Sequence, residues 1–287
     1  MTSLAGLGPA DLLDPDERTR RRVPSIPVLC GIPLVAVLFC ALFSGWLVPD
    51  AARGDIYSAR LPAGSPGHLF GTDQVGRDIL QMSIAGARTA IIGPVVIALG
   101  SMLIGLLLGT LAGYRGGVVD LLLSKYADLL LALPSTLIAL VVAGLVDGGY
   151  WATVAVLILL FSPTDIRMIR GATLSQATRP YIESARVLGL SSRRIMFRHL
   201  VPNVLNVALT TMLLNVAFAL VSMSALSFLG LGIAPGQPDW GRQLSDGRDL
   251  LSINAAASIV PGVLLIVTAT AINLLGDWWQ ERAGVEA

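Results

Sequence analysis

Apolar residues along the chain gather into long, nearly unbroken runs instead of recurring once or twice per helical turn. Five runs reach about 18 residues or more, the length at which a helix rising about 1.5 Å per residue crosses a hydrocarbon layer about 30 Å thick. They are Ile26–Val48, Thr89–Gly113, Leu129–Val146, Val204–Leu229 and Ile253–Leu275. A sixth, Tyr150–Pro163, is shorter and continues toward Ile169 through one Asp and one Arg. Six membrane-spanning helices are therefore predicted. A lone apolar segment in lipid has no other way to pair its backbone polar groups, and the alternation of a β-barrel is absent. The predicted fold class is an all-α polytopic membrane protein.

This pattern divides the chain into a tail (1–25), a first span (26–48), an outer loop (49–88), a five-helix core (89–278) enclosing an inner loop (165–203), and a short second tail (279–287). The first run is longer than the apolar core of a signal peptide, about 7–15 residues, so it is read as a retained span. A mean hydropathy of +0.73 agrees with a bilayer as the solvent. The net charge of +1 rules out a basic nucleic-acid footprint as the organising feature. Cys30 and Cys40 lie on one predicted helix, about 15 Å apart at about 1.5 Å per residue, too far to pair with each other.

Charge is informative by position. Of the 20 Lys and Arg, fourteen fall on the side of the two termini, including Arg18, Arg20, Arg21, Arg22 and the seven arginines between Arg167 and Arg198. The positive-inside bias places that side, and both termini, in the cytoplasm.

The cytoplasmic segment Tyr181–Asn203 is unusually rich in arginine. Arg179-Pro180 suits the start of a helix, because proline at the first helical position gives up only a hydrogen bond that would be unmade anyway. Tyr181, Ala185 and Leu188 are predicted to form one stripe, with Glu183 and Arg186 off it. Gly189 then interrupts the helix. Ser191 or Ser192 can cap a second short helix carrying Ile195, Met196 and Leu200 and ending before Pro202. Two readings fit this helix–glycine–helix pattern: a surface element whose arginines touch anionic headgroups, or a stiff element that docks a cytoplasmic partner.

Outside the membrane, Asp73, Arg77 and Asp78 flank Gly71 and Gly76, with Thr72 between. The residues read as a turn-rich loop held by local hydrogen bonds, or as a contact surface for an external partner. Gly105, Gly109 and Gly113 repeat every four residues and place a small-residue groove on one face of the second span, first for helix packing and secondarily for substrate contact. Pro94, Pro134 and Pro261 are placed to kink spans. Lys125 and Asp128 are spaced for an ion pair or for interfacial anchoring. Asp165, Arg167 and Arg170 are read as carrying the fourth span into the cytoplasm, so no charge needs a partner inside the membrane. A proton- or sodium-coupled relay is disfavoured accordingly.

No phosphate-binding G-x-x-x-x-G-K-[ST] loop occurs, and Lys125 is the only lysine. The histidines, His68 and His199, are predicted on opposite sides of the membrane, which leaves no metal-ligand cluster or histidine dyad. No catalytic residue and no bound metal or cofactor is expected in this chain.

The run from Glu183 through Ser184, Ala185, Gly189 and Ile195 to Pro202 resembles the coupling ("EAA") motif of binding-protein-dependent ABC importer permeases. In that family Glu-Ala-Ala precedes a glycine, and the helix docks in a groove of an ATPase subunit. Ser184 replaces the first alanine, a small-for-small change. His68–Asp78 (HLFGTDQVGRD), Ala112–Gly117, Asp128–Pro134, Leu226–Gly232, Asp239-Trp-Gly241 and Asn273–Asp277 are similar to signatures of the second permease of dipeptide/oligopeptide importers. The resemblance runs from about residue 26 to 278. It implies a type I importer permease fold, a homologous second permease, two cytoplasmic ATPase domains that bind ATP and Mg, and an extracytoplasmic solute-binding protein. It further implies a bacterial inner-membrane location and a coupling role for Tyr181, Glu183, Ser184, Ala185, Arg186, Gly189 and Arg193. Gly71, Thr72, Asp73, Gly76, Arg77 and Asp78 are implied as the binding-protein contact. Peptides are the implied cargo, with nickel complexes, glutathione or haem as alternatives. From other classes, a self-contained secondary transporter and a membrane scaffold remain.

Overall fold

A computed structural model describes residues 25–145 and 149–283. The arginines of the N-terminal tail up to residue 24, the end of the third predicted span at Val146 and the last four residues of the C-terminal tail lie outside the described residues. Among the described residues ten α-helices follow in chain order: α1 (Ser25–Leu47), α2 (Ile79–Arg115), α3 (Gly117–Leu131), α4 (Ser135–Leu145), α5 (Gly149–Ala177), α6 (Pro180–Val187), α7 (Ser192–Ile195), α8 (Val201–Phe228), α9 (Trp240–Gly247) and α10 (Ala256–Ala283). Among the described residues five helical stretches are long and apolar enough to cross a membrane. The bent pair α3–α4 makes a sixth crossing if it is taken as one span.

That pair replaces the expected span Leu129–Val146 with an earlier start at Gly117, and makes the expected kink at Pro134 a full break. Pro134 has no N–H to donate and disfavours helical backbone at the residue before it. The helix therefore stops at Leu131 and restarts at Ser135, the two axes meeting at 85°. The Pro134 carbonyl accepts from the amides of Leu137 and Ile138, at 3.0 and 3.2 Å.

Two other boundaries move because a polar residue belongs to the helix. Helix α2 begins at Ile79, ahead of Thr89, because Asp78 caps it by accepting from the Gln81 amide at 3.0 Å. Helix α5 continues past Asp165 to Ala177, so the inner loop leaves the bundle after Ala177 and not at Asp165.

Helix α2 is the central post, touching α1, α3, α5, α8, α9 and α10. In lipid the hydrophobic effect does not drive helices together, so close approach must come from small side chains. A Cβ on Gly105 would stand 2.6 Å from the Asp165 Cβ, one on Gly109 2.8 Å from the Ile166 carbonyl, and one on Gly113 2.8 Å from the Thr173 Cβ. The glycine stripe of α2 thus lies directly against α5. On its other side α2 shares a buried cluster with Val37 of α1, Leu220 of α8, Trp240 of α9 and Ile272 of α10.

Candidate functional site: the inner helix pair and the outer loop

Helix α6 opens at Pro180 and buries Ile182 and Ala185. Its end is a Schellman turn: Gly189, at φ +73°, donates to the Arg186 carbonyl at 3.0 Å, and Leu190 donates to the Ala185 carbonyl at 3.2 Å. A positive φ suits glycine, which has no Cβ to clash with the following carbonyl. Nothing lies within 4 Å of where a Gly189 Cβ would sit, so the turn demands a conformation and not space.

The buried face of the pair differs from the expected stripe. Ile182, Ala185, Ile195, Met196 and Leu200 form a small core against Leu111 and Tyr114, at the inner end of α2. Leu188 leaves that core because the Gly189 turn swings it outward, and with Val187 it is exposed at 79% and 87% respectively. The outward face therefore combines Glu183, Ser184, Arg193, Val187 and Leu188, while Ala185 belongs to the support beneath. Tyr181 is directed back to α5, its hydroxyl 3.0 Å from Gln176 Oε1. Arg186 places its Cζ 5.2 Å from the centroid of the Tyr114 ring. The sequence pattern places Leu188 on the stripe and passes over Val187; two adjacent apolar residues before a helix-ending glycine are the available signal for an exposed apolar tip.

Ser191 occupies the cap position of α7 without a side-chain capping bond. Helix α7 ends at Ile195, but the helical path does not stop before Pro202 as expected. It passes through a π-type turn, Met196–Leu200, into α8. Proline removes one backbone donor, and a widened turn absorbs the mismatch. Asn203 Nδ2 donates instead to the His199 carbonyl at 2.5 Å.

Between this surface and the bundle, α3 is tied to α5 by two ion pairs. Asp128 accepts from Arg167 Nη2 at 2.6 Å, so its partner is across the helix pair and not Lys125. Asp120 accepts from Arg170 Nη2, also at 2.6 Å. Asp165 lies inside the bundle, contrary to its expected cytoplasmic position.

The outer loop is a fastening. Thr72 is fully buried, its Oγ1 accepting from the Leu61 amide at 2.9 Å and donating to the Ser58 carbonyl at 2.5 Å. Asp73 accepts from the amides of Val75 and Arg77, both at 2.9 Å, and pairs with Arg77 Nε at 2.5 Å. Arg77 also reaches Asp246 at 3.7 Å, and Asp78 pairs with His68 at 2.7 Å. Gly71, at φ +77°, is closed in by Asn254, whose Nδ2 donates to the carbonyls of Leu61 and Phe70 at 3.1 and 2.8 Å. A Cβ at Gly76 would stand 1.8 Å from the Asp55 carbonyl oxygen. Asn254, Gln243 and Asp246, which hold this loop or its neighbour α9, were not among the residues singled out from sequence.

Helix α9 closes the outer end. Asp239 caps it by accepting from the Arg242 amide at 2.9 Å, and Thr89 Oγ1 donates to Asp239 at 3.2 Å. Trp240 donates from its indole to the Ser83 carbonyl at 2.8 Å, and Gln243 Nε2 donates to the Met82 carbonyl at 2.9 Å. A Cβ at Gly241 would stand 2.2 Å from the Ser224 carbonyl oxygen. Burial pushes the Asp239 carboxyl above the usual carboxylate range, against the opposing pull of its hydrogen bonds.

Residues 105–283, more than half of the chain, match the family described as the binding-protein-dependent transport system inner membrane component. The chain belongs to this family. Curated relatives extend the match toward the N-terminus. A glutathione transport system permease protein of Pectobacterium atrosepticum is 34% identical over 254 residues, 88% of this chain and 84% of that protein. A di/tripeptide transport system permease protein of Pseudomonas aeruginosa is 32% identical over 250 residues, 85% of this chain and 82% of that protein. A dipeptide transport system permease protein of Haemophilus influenzae is 32% identical over 255 residues, 86% of each chain. This inner membrane component is a multi-pass membrane protein of a transport system.

Proposed function

We propose that the chain is one transmembrane subunit of an ATP-driven importer of short peptides. It forms half of the pathway beside a homologous second permease. Separate ATPase subunits, which bind ATP and Mg, dock from the cytoplasm on the α6–α7 surface, since this chain has no phosphate-binding loop. An extracytoplasmic solute-binding protein delivers cargo to the outer side. The setting is a bacterial inner membrane with both termini in the cytoplasm, which the distribution of arginines supports.

One observation carries the reading. A short helix ends in a glycine turn, stands on its own small core against α2, and turns Glu183, Ser184, Val187, Leu188 and Arg193 outward. A rigid knob of this kind can pass a push from an ATPase to α2 and, through the π-type turn, to α8. Alternating access needs two packings of the spans that nucleotide state can bias through such an element. The short-peptide cargo is supported by relatives named for dipeptides, di/tripeptides and glutathione, which is itself a tripeptide. For the outer loop, the buried bonding of Thr72, Asp73, Arg77 and Asp78 supports a scaffold role. A binding-protein contact would then use the exposed Val75 and its neighbours.

The test is affinity purification of the tagged full chain in mild detergent, wild type beside a Glu183→Lys, Gly189→Pro double variant, with mass spectrometry of what co-purifies. The expected result is an ATPase and a second permease with wild type, and the second permease alone with the variant. Failure of wild type to bring down any ATPase would sink the docking reading and return the secondary-transporter alternative.

A further inference from the structure

Asp165 lies at the inner end of the apolar run of α5, two residues before Arg167, and its side chain is 1% exposed. Protein encloses it. Gly105 of α2 backs its Cβ, Asn215 of α8 donates from Nδ2 to its Oδ1 at 2.9 Å, and the fully buried Ser101 of α2 lies beside the carboxyl. Its Oδ2 is buried without a hydrogen-bond partner.

Among the described residues no cation pairs with it. Arg167 and Arg170, on its own helix, are taken by Asp128 and Asp120 of α3, and Lys125 on α3 forms no ion pair with Asp165. The facing stretches 100–109 of α2 and 210–220 of α8 carry no ionisable residue, nor do α4 and residues 151–164 of α5. The π-type turn that also touches α5 brings Arg198 and His199, and neither bonds to Asp165. A single hydrogen bond from Asn215 to a charged acceptor stabilises less than burying an unpaired ion costs. Neutrality wins that comparison.

Ser101 supplies the remaining piece. Its Oγ lies 3.2 Å from the Ala98 carbonyl, to which it can donate while a lone pair remains to accept from a donor. We propose that Asp165 is a proton-binding site: the carboxyl takes up a proton at Oδ2 and donates it to Ser101 Oγ, while Oδ1 accepts from Asn215. A continuous chain of neutral hydrogen bonds then joins α2, α5 and α8. The proton is held and not relayed, because the apolar stretches on either side offer no acceptor to pass it to. The chain ties the helix that seats the inner pair to α8, which continues from it, so the two move as one body.

The site can be tested without any partner. The full chain is reconstituted in phospholipid vesicles with isotope-labelled aspartate, and infrared spectra of wild type and Asp165→Asn are subtracted from about pH 5 to about pH 9, above the usual aspartate value of about 3.9. The expected difference is a protonated-carboxyl C=O stretch present at neutral pH. A difference consisting only of carboxylate stretches near neutrality would overturn the proposal. Thermal unfolding adds a second readout. Asp165→Asn keeps a neutral donor and should keep the wild-type midpoint. Ser101→Ala should lower the midpoint more in wild type than in the Asp165→Ala background, where only its contact with the Ala98 carbonyl is lost. Equal effects of Ser101→Ala in both backgrounds would show that no hydrogen bond joins the two residues.

Discussion

Arg186 of α6 lies over the ring of Tyr114 of α2, its Cζ 5.2 Å from the ring centroid. The contact joins the inner helix pair to the central helix beside the buried Ile182 and Ala185 of α6. A partly exposed cation–π contact contributes about 0.5–2 kcal/mol. Tyr114→Leu should therefore loosen α6 by about 1 kcal/mol while keeping the apolar floor. Hydrogen exchange of residues 180–200 in the full chain would report this as roughly five-fold faster opening. The same loss should follow from Arg186→Gln, and the double variant should show little further change. Additive effects would mean that the two residues act separately.

Two glycines with the same backbone sign should respond differently to alanine. Gly189 has φ +73° and open space around its missing Cβ, so Gly189→Ala incurs only the left-handed conformation, about 1–2 kcal/mol. Gly71 has φ +77° and would also drive a Cβ to 2.2 Å from the Leu61 carbonyl oxygen. Gly71→Ala should detach the outer loop from Asn254 and expose the segment 61–72 to protease, whereas Gly189→Asn, which tolerates the conformation, should leave α6 in place. Protease resistance of the loop in Gly71→Ala would contradict the assigned packing.

The α2–α5 seam sets a third expectation. A side chain at Gly109 meets backbone, the Ile166 carbonyl at 2.8 Å and the Arg170 amide at 3.1 Å, which cannot rotate away. Gly109→Leu should separate the helices at a cost of about 3 kcal/mol and lower the yield of monodisperse protein in detergent. Gly171 on α5 has nothing within 4 Å of its missing Cβ, so Gly171→Ala is the matched control and should leave the yield unchanged.

How much of this was legible in the chain depends on the range of the interaction. The spans and the α6 turn were readable because their signals are local: uninterrupted apolar length, Pro180 at a helix start, Gly189 at a helix end. Asp165 was misplaced because its environment comes from Asn215, 50 positions away, and from the glycine stripe of α2, and no local pattern connects the three. Asp128 was matched to Lys125 for the same reason, when Arg167 lies 39 positions on. Pro134 announced a break, but its size depends on how α4 packs against α5 and α8. In the outer loop the polar residues fit both local hydrogen bonding and contact with a partner, and burial turns Thr72, Arg77 and Asp78 inward, a choice made by tertiary packing.

The last prediction concerns pH and Asp239. Its carboxyl caps α9 from a buried position, and burial raises it above the ordinary 3.8. A group raised in the folded state binds protons more tightly there than in the unfolded chain. Its contribution to stability is therefore fully present below the unfolded value and is lost as pH rises through the folded one. Asp239→Asn retains a cap acceptor for the Arg242 amide and cannot ionise, so it removes this pH dependence. The comparison cancels every other carboxyl: the stability of wild type minus that of Asp239→Asn should fall as pH rises from about 4 upward, and flatten once Asp239 is ionised in both states. Thermal unfolding of the full chain in detergent across that window measures it. A difference that stays flat, or that rises with pH, would show that the hydrogen bonds from Thr89 and the α9 amides outweigh burial at this site.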